Sequence, residues 1–372
     1  MNRSLRVLIA AGGTGGHVYP GIAMAEAFIE KFPECEVRFV GTTRGLENRL
    51  VPEAGYTLEH VRASRVKNAG IAARLAALFR LPLGIWDARR ILTKFKPNLI
   101  VSVGGYSAAP TVVAAWLSRI PSVAIEPNAI PGLTNRVLGR LAGRILLGFE
   151  QAASWFKQSK VCVTGVPLRA AAVQALTAAA ESVRNQNQSA QILVFGGSQG
   201  ARFLNERMAP TLKGLNVTVL HQTGEADEAL TRQRYEEAGL KANVRPYIDD
   251  MAAAYANADL AVTRAGASTV AELATAGLPS LLVPFPFAAD DHQASNAAAL
   301  EKAGAAKMVR QEDWNDDDIR DWITGLLSEG QRLEVMASSA RSVSHHEASI
   351  RAVDACINLL EQRGTRLLSL VA

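Results

Sequence analysis

The sequence predicts an α/β protein with two parallel sheets, because one local pattern occurs twice, about half a chain apart. An apolar run at 5–11 leads into a glycine-rich segment at 12–17, and a second run at 192–195 leads into 196–201. A helical pattern follows each time, so each segment is predicted to be a buried strand that feeds a helix through a tight turn. Backbone N–H groups and a helix N-terminus in such a turn can approach an anion, usually a phosphate.

Strand and helix signals alternate through both halves of the chain, as in sheets that are covered on both faces. Further buried strands are predicted at 37–40, 98–103, 122–125 and 161–167 in the first half, and at 216–221, 259–263 and 280–284 in the second. Helices are predicted at 18–32, 108–119, 133–142 and 346–362, and Asp249 or Asp250 is expected to cap a helix that begins at Met251.

A chain of 372 residues suits two domains. The last strand of the first half and its exit turn are predicted at 161–167, so the two halves divide there. Apolar residues make up 48% and charged residues 20%, which is typical of a globular protein. Ligands of such sheets bind at the carboxyl ends of the strands, where both glycine turns lie, so the site is expected in a cleft between the halves.

The net charge of +5 conceals an asymmetry between the halves. Residues 1–167 hold 21 Lys and Arg against 10 Asp and Glu, whereas residues 168–372 hold 19 against 25. A basic half indicates an anionic partner, either nucleic acid or lipid headgroups. Aromatic residues make up only 6% and no nucleic-acid-binding motif is present, so lipid is favoured.

The cysteines and the start of the chain bear on the compartment. Three distant cysteines without metal-ligand spacing indicate a reducing environment. The sequence begins directly with a strand pattern, so no secretory leader is expected, and no apolar run approaches the roughly 20 residues of a membrane span.

The two glycine segments carry the first candidate site residues. The segment 12–17 is not the G-x-G-x-x-G pattern of dinucleotide binding, and it ends in His17 at a helix start. This histidine is interpreted either as a base or diphosphate contact, or as an ordinary surface histidine. Ser198 lies beside backbone donors in the second segment and suits a diphosphate oxygen, the alternative being a helix-capping serine.

The stretch 263–292 carries a second group. Glu272 lies in the first turn of a predicted helix, where its carboxylate can accept two ribose hydroxyls or act as a capping-box partner of Ser268 or Thr269. Further on, residues 290–292 (Asp-Asp-His) resemble metal ligands, but adjacent carboxylates rarely share one ion, so polar contacts to a sugar are favoured. Helix N-termini can stabilise a departing diphosphate without a cation.

A segment at 71–96 combines exposed apolar residues with basic ones, more than a single core-facing stripe needs. Pro82 and Gly84 are expected to prevent one continuous helix there. The composition fits an interfacial membrane patch, the alternative being an ordinary amphipathic helix pair. The residues of this predicted patch are Ile71, Leu75, Phe79, Arg80, Trp86, Arg89 and Arg90.

Taken together, these motifs resemble the MurG family of bacterial N-acetylglucosaminyltransferases. The matching stretches extend along nearly the whole chain in the family's order and spacing. They are GGTGGHVYPGIAMAEA (12–27), SVGGYSAAP (102–110), EPNAIPGLTNRVLGRLA (126–142), VTGVPLR (163–169), FGGSQGA (195–201), YIDDMAAAYANADLAVTRAGASTVAELATAGLPSLLVPFP (247–286) and AADDHQASNAAALEKAGAA (288–306).

The resemblance implies a GT-B architecture, with two Rossmann-like domains, a cleft, and a C-terminal helix that returns to the first domain. The first domain is then expected at 1–166 with the tail from about 346 to 372, and the second at 167–345. It implies an inverting transfer of N-acetylglucosamine from UDP-N-acetylglucosamine to the muramyl-pentapeptide pyrophosphoryl-undecaprenol lipid (lipid I), giving the β-1,4-linked lipid II of peptidoglycan synthesis. The acceptor and the membrane belong to the first domain and the donor to the second. The implied location is the cytoplasmic face of the plasma membrane, peripherally bound, among other cell-wall and division enzymes, with roles in cell shape and division.

By the same resemblance, particular residues acquire roles. Those implied to bind the donor are Thr14, Gly15, Gly16, His17, Asn128, Arg169, Ser198, Gln199, Ile248 (by backbone contacts to uracil), Glu272 (to the ribose), His292 and Gln293. The acceptor side is implied to include Thr14, His17, Tyr106, Glu126, Asn128 and Asn135. Two departures, Ala109 and Pro127, flank this acceptor side.

The general base is left open between His17 and Glu126. No metal or other cofactor is expected. Three alternatives remain: an NAD-dependent oxidoreductase, which lacks its phosphate-binding fingerprint; another UDP-sugar enzyme of the same fold, such as a glycolipid synthase or an epimerase; and a membrane adaptor that binds the UDP-sugar without catalysis. The sequence does not determine the oligomeric state, the acceptor peptide or the partner proteins.

Overall fold

The computed structural model describes residues 4–63, 71–105, 107–181, 189–197 and 200–364, with only the backbone described for 71–80 and 181. The chain divides into two compact units. The first comprises Met1–Ala170 and His346–Ala372, and the second comprises Ala171–His345. The first division falls after Ala170, where the sequence predicts 166.

The described part of the first unit contains a seven-stranded sheet in the order β3-β2-β1-β4-β5-β6-β7, with every pairing parallel. Its central strands are apolar because helices cover both faces. On β1, for example, Ile9 lies opposite Phe39 of β2 and Val101 of β4. The strands are β1 (Arg6–Ala11), β2 (Glu36–Gly41), β3 (Thr57–His60), β4 (Leu99–Gly104), β5 (Ser122–Glu126), β6 (Arg144–Leu147) and β7 (Val161–Val163).

The C-terminal helix belongs to this first unit. Val353, Cys356 and Leu360 are buried in the same apolar cluster as Ile9 and Phe28, and burial of each such side chain stabilises the fold by about 1.5–3 kcal/mol. The chain therefore returns to its first unit, as the sequence predicts. The helices here are α1 (Gly15–Lys31), α2 (Glu47–Glu53), α3 (Ile71–Phe95), α4 (Ala108–Leu117), α5 (Leu133–Leu138) and α14 (Ala348–Gln362).

The expectation that Pro82 and Gly84 interrupt the segment 71–96 is wrong. One helix, α3, runs through Pro82. Gly84 is buried, and a Cβ there would collide with the carbonyl oxygen of Arg62 and approach Pro110 to 3.1 Å. The glycine thus allows α3 to pack closely, and tertiary contacts outweigh the local preference.

The second unit repeats the plan with a six-stranded parallel sheet in the order β10-β9-β8-β11-β12-β13. Its strands are β8 (Ala190–Phe195), β9 (Val217–Gln222), β10 (Lys241–Arg245), β11 (Leu260–Thr263), β12 (Ser280–Leu282) and β13 (Ala306–Met308). Its core joins residues of these strands to apolar side chains of the helices, among them Leu204 and Ile323.

The helices of the second unit begin with α6, which starts at the last residue of the first unit. The Asp250 side chain accepts a hydrogen bond from Ala253 N at 2.9 Å, so the predicted cap of α9 is confirmed, and its residue is Asp250. The helices are α6 (Ala170–Glu181), α7 (Arg202–Leu212), α8 (Glu228–Glu237), α9 (Met251–Asn257), α10 (Ala267–Ala276), α11 (His292–Lys302), α12 (Asp316–Ser328) and α13 (Gly330–Ser342).

Strand order locates a candidate site in each unit. In each sheet the strand order reverses beside the first strand, between β1 and β4 in one sheet and between β8 and β11 in the other. Ligands of open parallel sheets bind outside the strand ends at this reversal. The two glycine turns follow β1 and β8 directly, so both lie at these points.

Candidate active site

The first glycine turn presents His17 at the start of α1. Gly13 has a φ of +97°, a conformation that only glycine adopts readily, and Thr14 follows as the N-cap residue. The amides of His17 and Val18 donate to the carbonyl of Thr14 at 3.1 and 3.2 Å. The Thr14 hydroxyl lies 3.3 Å from Nδ1 of His17, which is itself only half-buried. The sequence alone therefore located this histidine correctly at an accessible helix start.

Two glycines at the end of β4 make room for the imidazole. A Cβ at Gly104 would lie 3.3 Å from Cδ2 of His17 and 3.3 Å from Nδ2 of Asn135. A Cβ at Gly105 would lie 2.5 Å from the carbonyl oxygen of Gly12. His17 and Asn135, far apart in sequence, consequently meet beside the backbone of β4.

Glu126, the other candidate base, is held inside the unit. It is 2% exposed and accepts hydrogen bonds from the Asn128 amide N (3.0 Å) and side chain (3.1 Å), from Gly132 N (2.9 Å) and from Asn135 Nδ2 (3.0 Å). These four bonds fix the loop between β5 and α5. The carboxylate therefore organises the loop between β5 and α5, which the resemblance assigns to the acceptor side, and its oxygens already accept from these donors.

Asn135 has one amide atom to spare. Its Nδ2 donates to the Ile125 carbonyl (2.9 Å) and to Glu126, whereas its buried Oδ1 has no hydrogen-bond partner among the described residues. A buried acceptor without a donor is costly, so a ligand hydroxyl or amide at this position would be favoured. Tyr106, which the sequence also places on this side, lies outside the described residues.

Glu47 is a site residue that sequence reasoning missed. It is completely buried and accepts from Gly13 N (2.8 Å), from Thr42 N (2.9 Å) and from the Thr42 hydroxyl (3.1 Å). The signal available in the sequence was the pair of glycines at 41 and 45 shortly before Glu47. That run does not reveal a contact with a turn more than 30 residues earlier.

Arg169 lies in the first unit, although the resemblance assigns it to the donor. Its guanidinium pairs with Glu26 of α1, with Nε at 2.8 Å and Nη2 at 2.7 Å from the same carboxylate oxygen. In this structure the arginine is therefore already neutralised by a carboxylate.

The second glycine turn is equally tight. Gly197 has a φ of +98° and Gly200 one of +71°. A Cβ at Gly196 would collide with Ala201, and a Cβ at Gly200 would collide with the carbonyl of Thr223. These glycines allow the chain to turn sharply from β8 into α7. Ser198 and Gln199, the predicted diphosphate contacts, lie outside the described residues.

Gln222, at the end of β9, joins this turn to the predicted uracil loop. Its Nε2 donates to the Gly197 carbonyl at 2.8 Å, and its Oε1 accepts from Ile248 N at 3.1 Å. The backbone N–H of Ile248 is thus used internally. Sequence reasoning missed Gln222 because nothing local marks it.

The resemblance assigns Glu272 to the ribose. The prediction that it lies in the first turn of its helix is wrong, because it is the sixth residue of α10 (Ala267–Ala276). It accepts a hydrogen bond from the Tyr255 hydroxyl at 2.8 Å, and the N-cap of α10 is Gly266 without a side-chain cap. The capping-box alternative is therefore wrong. Burial raises the pKa of Glu272 to about 7, the Tyr255 hydrogen bond opposing this rise, so the carboxyl titrates near neutral pH.

The loop after β12 brings several polar groups together. Arg264 donates to the carbonyls of Val283 and Pro284 at 3.0 and 3.1 Å, and burial lowers its pKa to about 10, so it remains charged at neutral pH. Gln293 accepts from Phe285 N at 2.9 Å. A buried, positively charged arginine that follows β11 therefore lies against this loop.

The acidic pair before α11 is not arranged as a metal centre. Asp291 pairs with Arg310 at 2.5 Å, and Nδ1 of His292 donates to the carbonyl of Ala289 at 2.7 Å. Within the described ranges, no group of three His, Cys, Asp or Glu side chains is placed to hold a metal ion. Asp290 and Asp291 both have positive φ, so the chain turns sharply just before α11.

The predicted membrane patch is described only in part, because the side chains of Ile71, Leu75, Phe79 and Arg80 lie outside the described residues. On the second half of α3, Trp86 is 53% exposed, and Arg90 stacks on its ring at 4.8 Å. Arg89 is also exposed. Trp116 and Leu117, at the end of the neighbouring helix α4, are about half exposed. No helix in the described part of the chain is long and apolar enough to span a membrane.

Both units match known sequence families. Residues 7–147 match the glycosyltransferase family 28 N-terminal domain, and residues 191–352 match the C-terminal domain of the same family. With the two parallel sheets and their glycine turns, these matches define the class of the protein as a two-domain glycosyltransferase of the GT-B fold. The predicted fold class is confirmed, and the oxidoreductase alternative is set aside.

Curated relatives and solved structures narrow the assignment. A Myxococcus xanthus protein is 43% identical over 365 residues, covering 96% of this chain and 94% of its own, and a Geobacter protein is 40% identical over 364 residues, covering 96% and 97%. Both are named UDP-N-acetylglucosamine–N-acetylmuramyl-(pentapeptide) pyrophosphoryl-undecaprenol N-acetylglucosamine transferase. The crystal structure of Acinetobacter baumannii MurG superposes with a TM-score of 0.79 at 34% identity, covering 95% of this chain and 99% of that one. The chain belongs to the MurG family.

A more distant structure shows the fold alone. A UDP-N-acetylglucosamine 2-epimerase from Neisseria meningitidis superposes with a TM-score of 0.67 but is only 14% identical. The epimerase alternative therefore gains a shared fold from this match and no shared site.

Proposed function

We propose that this chain transfers N-acetylglucosamine from UDP-N-acetylglucosamine to the lipid-linked muramyl-pentapeptide acceptor lipid I and produces lipid II. The observation that carries the proposal is the 43% identity over 96% of the chain to a relative named for this reaction. The candidate site supports it, because each unit brings polar groups to the end of its sheet where a ligand of this fold binds.

His17 acts as the general base that takes the proton from the attacking sugar hydroxyl. Its imidazole is half-buried, and both His17 and Asn135 lie close to Gly104. The buried Oδ1 of Asn135, which has no partner among the described residues, orients the acceptor sugar. Glu126 is less suited to this role, because its four hydrogen bonds hold the acceptor-side loop and a protonated carboxyl would weaken them. The acceptor side further includes Tyr106 and Asn128.

The donor binds in the second unit. Glu272 accepts the ribose hydroxyls, and the carbonyl of Ile248 accepts from uracil, since its N–H already donates to Gln222. Ser198 contacts the diphosphate, and Gln199, His292 and Gln293 contact the rest of the donor.

No divalent metal is required for the departure of UDP. The start of α7, the glycine-turn amides and the charge of Arg264 stabilise the negative charge that develops on the diphosphate.

The protein binds the cytoplasmic face of the plasma membrane through α3 and the adjoining end of α4. An exposed tryptophan, stacked with arginine and flanked by further basic residues, suits an anionic lipid surface. Co-sedimentation with anionic vesicles at low and high salt tests this, with binding expected at low salt and weakened by salt. Absence of binding to anionic vesicles at low salt would contradict it.

The deciding experiment measures UDP release from UDP-N-acetylglucosamine in EDTA, with and without a lipid-linked muramyl-pentapeptide analogue. Release that depends on the acceptor supports both the transferase and its metal-free mechanism. No UDP release in EDTA, but release in magnesium, would overturn the metal-free mechanism. No UDP release under either condition, from a protein that still binds UDP, would favour a different acceptor or a binding protein without catalysis.

A further inference from the structure

The two glycine turns are each contacted by a buried polar side chain that follows or ends the neighbouring strand. The second glycines, Gly13 and Gly197, have nearly the same φ, +97° and +98°. Glu47 follows β2, which pairs with β1, and contacts Gly13, whereas Gln222 ends β9, which pairs with β8, and contacts Gly197. In each unit, the contact therefore comes from the chain at or beyond the end of the strand that pairs with the first strand of the sheet. Gln222 is the last residue of β9, and Glu47 begins α2 six residues after β2.

Glu47 lies close to three glycines in two segments, Gly12 in the first glycine turn and Gly41 and Gly45 at and just after the end of β2. A Cβ at Gly12 would lie 2.8 Å from its Oε1, one at Gly41 would lie 2.5 Å from its Cγ, and one at Gly45 would collide with its carboxylate. All three of its hydrogen bonds come from donors on Gly13 and Thr42, as a buried carboxylate requires. The absence of a side chain at these glycines therefore leaves the space that Glu47 occupies.

The hydrogen bond to Gly13 has a consequence for His17. It fixes the backbone two residues before α1 begins, and the position of the helix start sets the position of the imidazole four residues beyond Gly13. It also uses the Gly13 N–H, which an anion would otherwise bind. Glu47 therefore acts on the histidine through the backbone and touches no substrate.

Gln222 acts on two loops at once. Its amide is 3% exposed, and it must donate to the Gly197 carbonyl and accept from Ile248 N at the same time. A primary amide meets both demands, whereas a carboxylate would place a negative oxygen against the carbonyl of Gly197. A single side chain thereby fixes the spacing between the second glycine turn and the predicted uracil loop at Ile248.

We propose that Glu47 and Gln222 are positioning residues of the transferase, Glu47 for the turn that presents His17 and Gln222 for the turn and loop that bind the UDP moiety. The inference rests on the proposed function for the identity of the two ligands. It extends that function by assigning to each unit one buried residue that prepares its site without contacting substrate.

Gln222 is tested by measuring UDP affinity calorimetrically on the full chain. Gln222→Met, which removes both hydrogen bonds, is expected to weaken UDP binding by about tenfold or more at every pH. Gln222→Glu is expected to bind weakly at pH 8 and to recover toward the wild-type value at pH 6, because a protonated carboxyl again donates to Gly197. Each value is taken relative to wild type at the same pH, which removes the contribution of Glu272, and the buried neighbour His221 stays neutral because burial lowers its pKa to about 3.

Glu47 is tested by separating turnover from donor affinity. Glu47→Gln places an amide N–H against the Gly13 or Thr42 amide and is expected to lower kcat between about 10-fold and 100-fold while UDP affinity stays unchanged. Glu47→Asp keeps the charge but is one methylene shorter, so a smaller loss of kcat is expected. Should Glu47→Gln not fold, Glu47→Asp decides the question alone.

Two control variants separate positioning from stability. Asn98→Ala removes the acceptor of Arg6 N (2.8 Å) at the opposite end of β1, and Thr211→Val removes a buried hydroxyl that contacts Asp316 (2.6 Å) far along α7. Both are expected to lower the Tm and to leave kcat and UDP affinity as in wild type.

The outcomes are distinct for each idea. Folded Glu47 variants with wild-type kcat, or folded Gln222 variants with wild-type UDP affinity, would overturn the corresponding half of the proposal. Equal losses of kcat and UDP affinity in both sets of variants would indicate a general structural role, and this result would also overturn the proposal. A wild-type protein that neither binds UDP nor transfers sugar would instead refute the proposed function.

Discussion

The pH dependence of stability should report directly on Glu272. Burial raises its pKa from 4.5 to about 7, so the folded chain holds this proton more tightly than the unfolded chain does. The stabilisation from the bound proton is complete below about pH 4.5 and is lost as the pH rises through 7. Above pH 7 the folded protein therefore contains a partly buried carboxylate that destabilises it.

The magnitude follows from the size of the pKa change. At about 1.4 kcal/mol for each tenfold change in acidity, a rise from 4.5 to about 7 corresponds to about 3 kcal/mol. Glu272→Gln remains neutral at every pH and keeps an acceptor for the Tyr255 hydroxyl, which itself stays protonated because burial raises its pKa well above 10. Relative to wild type, the variant should therefore gain about 3 kcal/mol between pH 4.5 and pH 8.5.

Calorimetric melting of both proteins at pH 4.5, 6.5 and 8.5 measures this gain. For a unit of this size, about 3 kcal/mol corresponds to roughly 6–12 °C in the melting transition of the second unit. With UDP bound, the wild type should instead have the higher melting temperature. Its ionised side chain accepts the ribose hydroxyls, whereas the amide of Glu272→Gln accepts them less well. A difference between the two proteins that does not change with pH would refute the reasoning.

Four further substitutions have expected outcomes. His17→Ala should lower kcat by about 10²–10⁴-fold with UDP affinity unchanged, and an equal loss of UDP affinity would show by calorimetry that His17 is a donor ligand. Glu126→Gln should lower the Tm and raise the acceptor KM more than it lowers kcat, since its role is to hold the loop; a collapse of kcat alone would restore it as the base. Trp86→Ala should weaken co-sedimentation with anionic vesicles while UDP binding is retained, and unchanged sedimentation would argue against the patch. Gly84→Ala should lower the Tm, because its Cβ would collide with the Arg62 carbonyl, and an unchanged melting curve would contradict that packing.

The fold was predictable because its signals are local. Short apolar runs, glycines and a capping residue such as Asp250 act within a few residues of themselves, and their repetition in two halves predicts two sheets. The same reasoning failed at α3, where Pro82 suggested a break. Packing of Gly84 against a distant backbone segment decided the outcome there, and local preference carries no information about such a contact.

The site was predictable only as far as its residues lie in motifs. His17 and Glu272 follow glycine turns, so their exposure to a ligand could be expected from the sequence. Their partners could not, because Asn135 and Tyr255 reach them from distant elements. Long-range hydrogen bonds depend on strand order, and strand order was not available from a single sequence.

The two glycine turns also differ in a way that their similar sequences hide. In the first turn the Gly13 N–H donates to the buried carboxylate of Glu47, so a phosphate placed there would face a negative charge in a low-dielectric interior. In the second turn Gly197 accepts from the neutral amide of Gln222, and the N-terminus of α7 lies directly after it. An entering diphosphate is therefore favoured at the second turn and disfavoured at the amide of Gly13 in the first. The first turn is better suited to hold a base in place, and this difference in charge is the physical reason why we expect the nucleotide in the second unit.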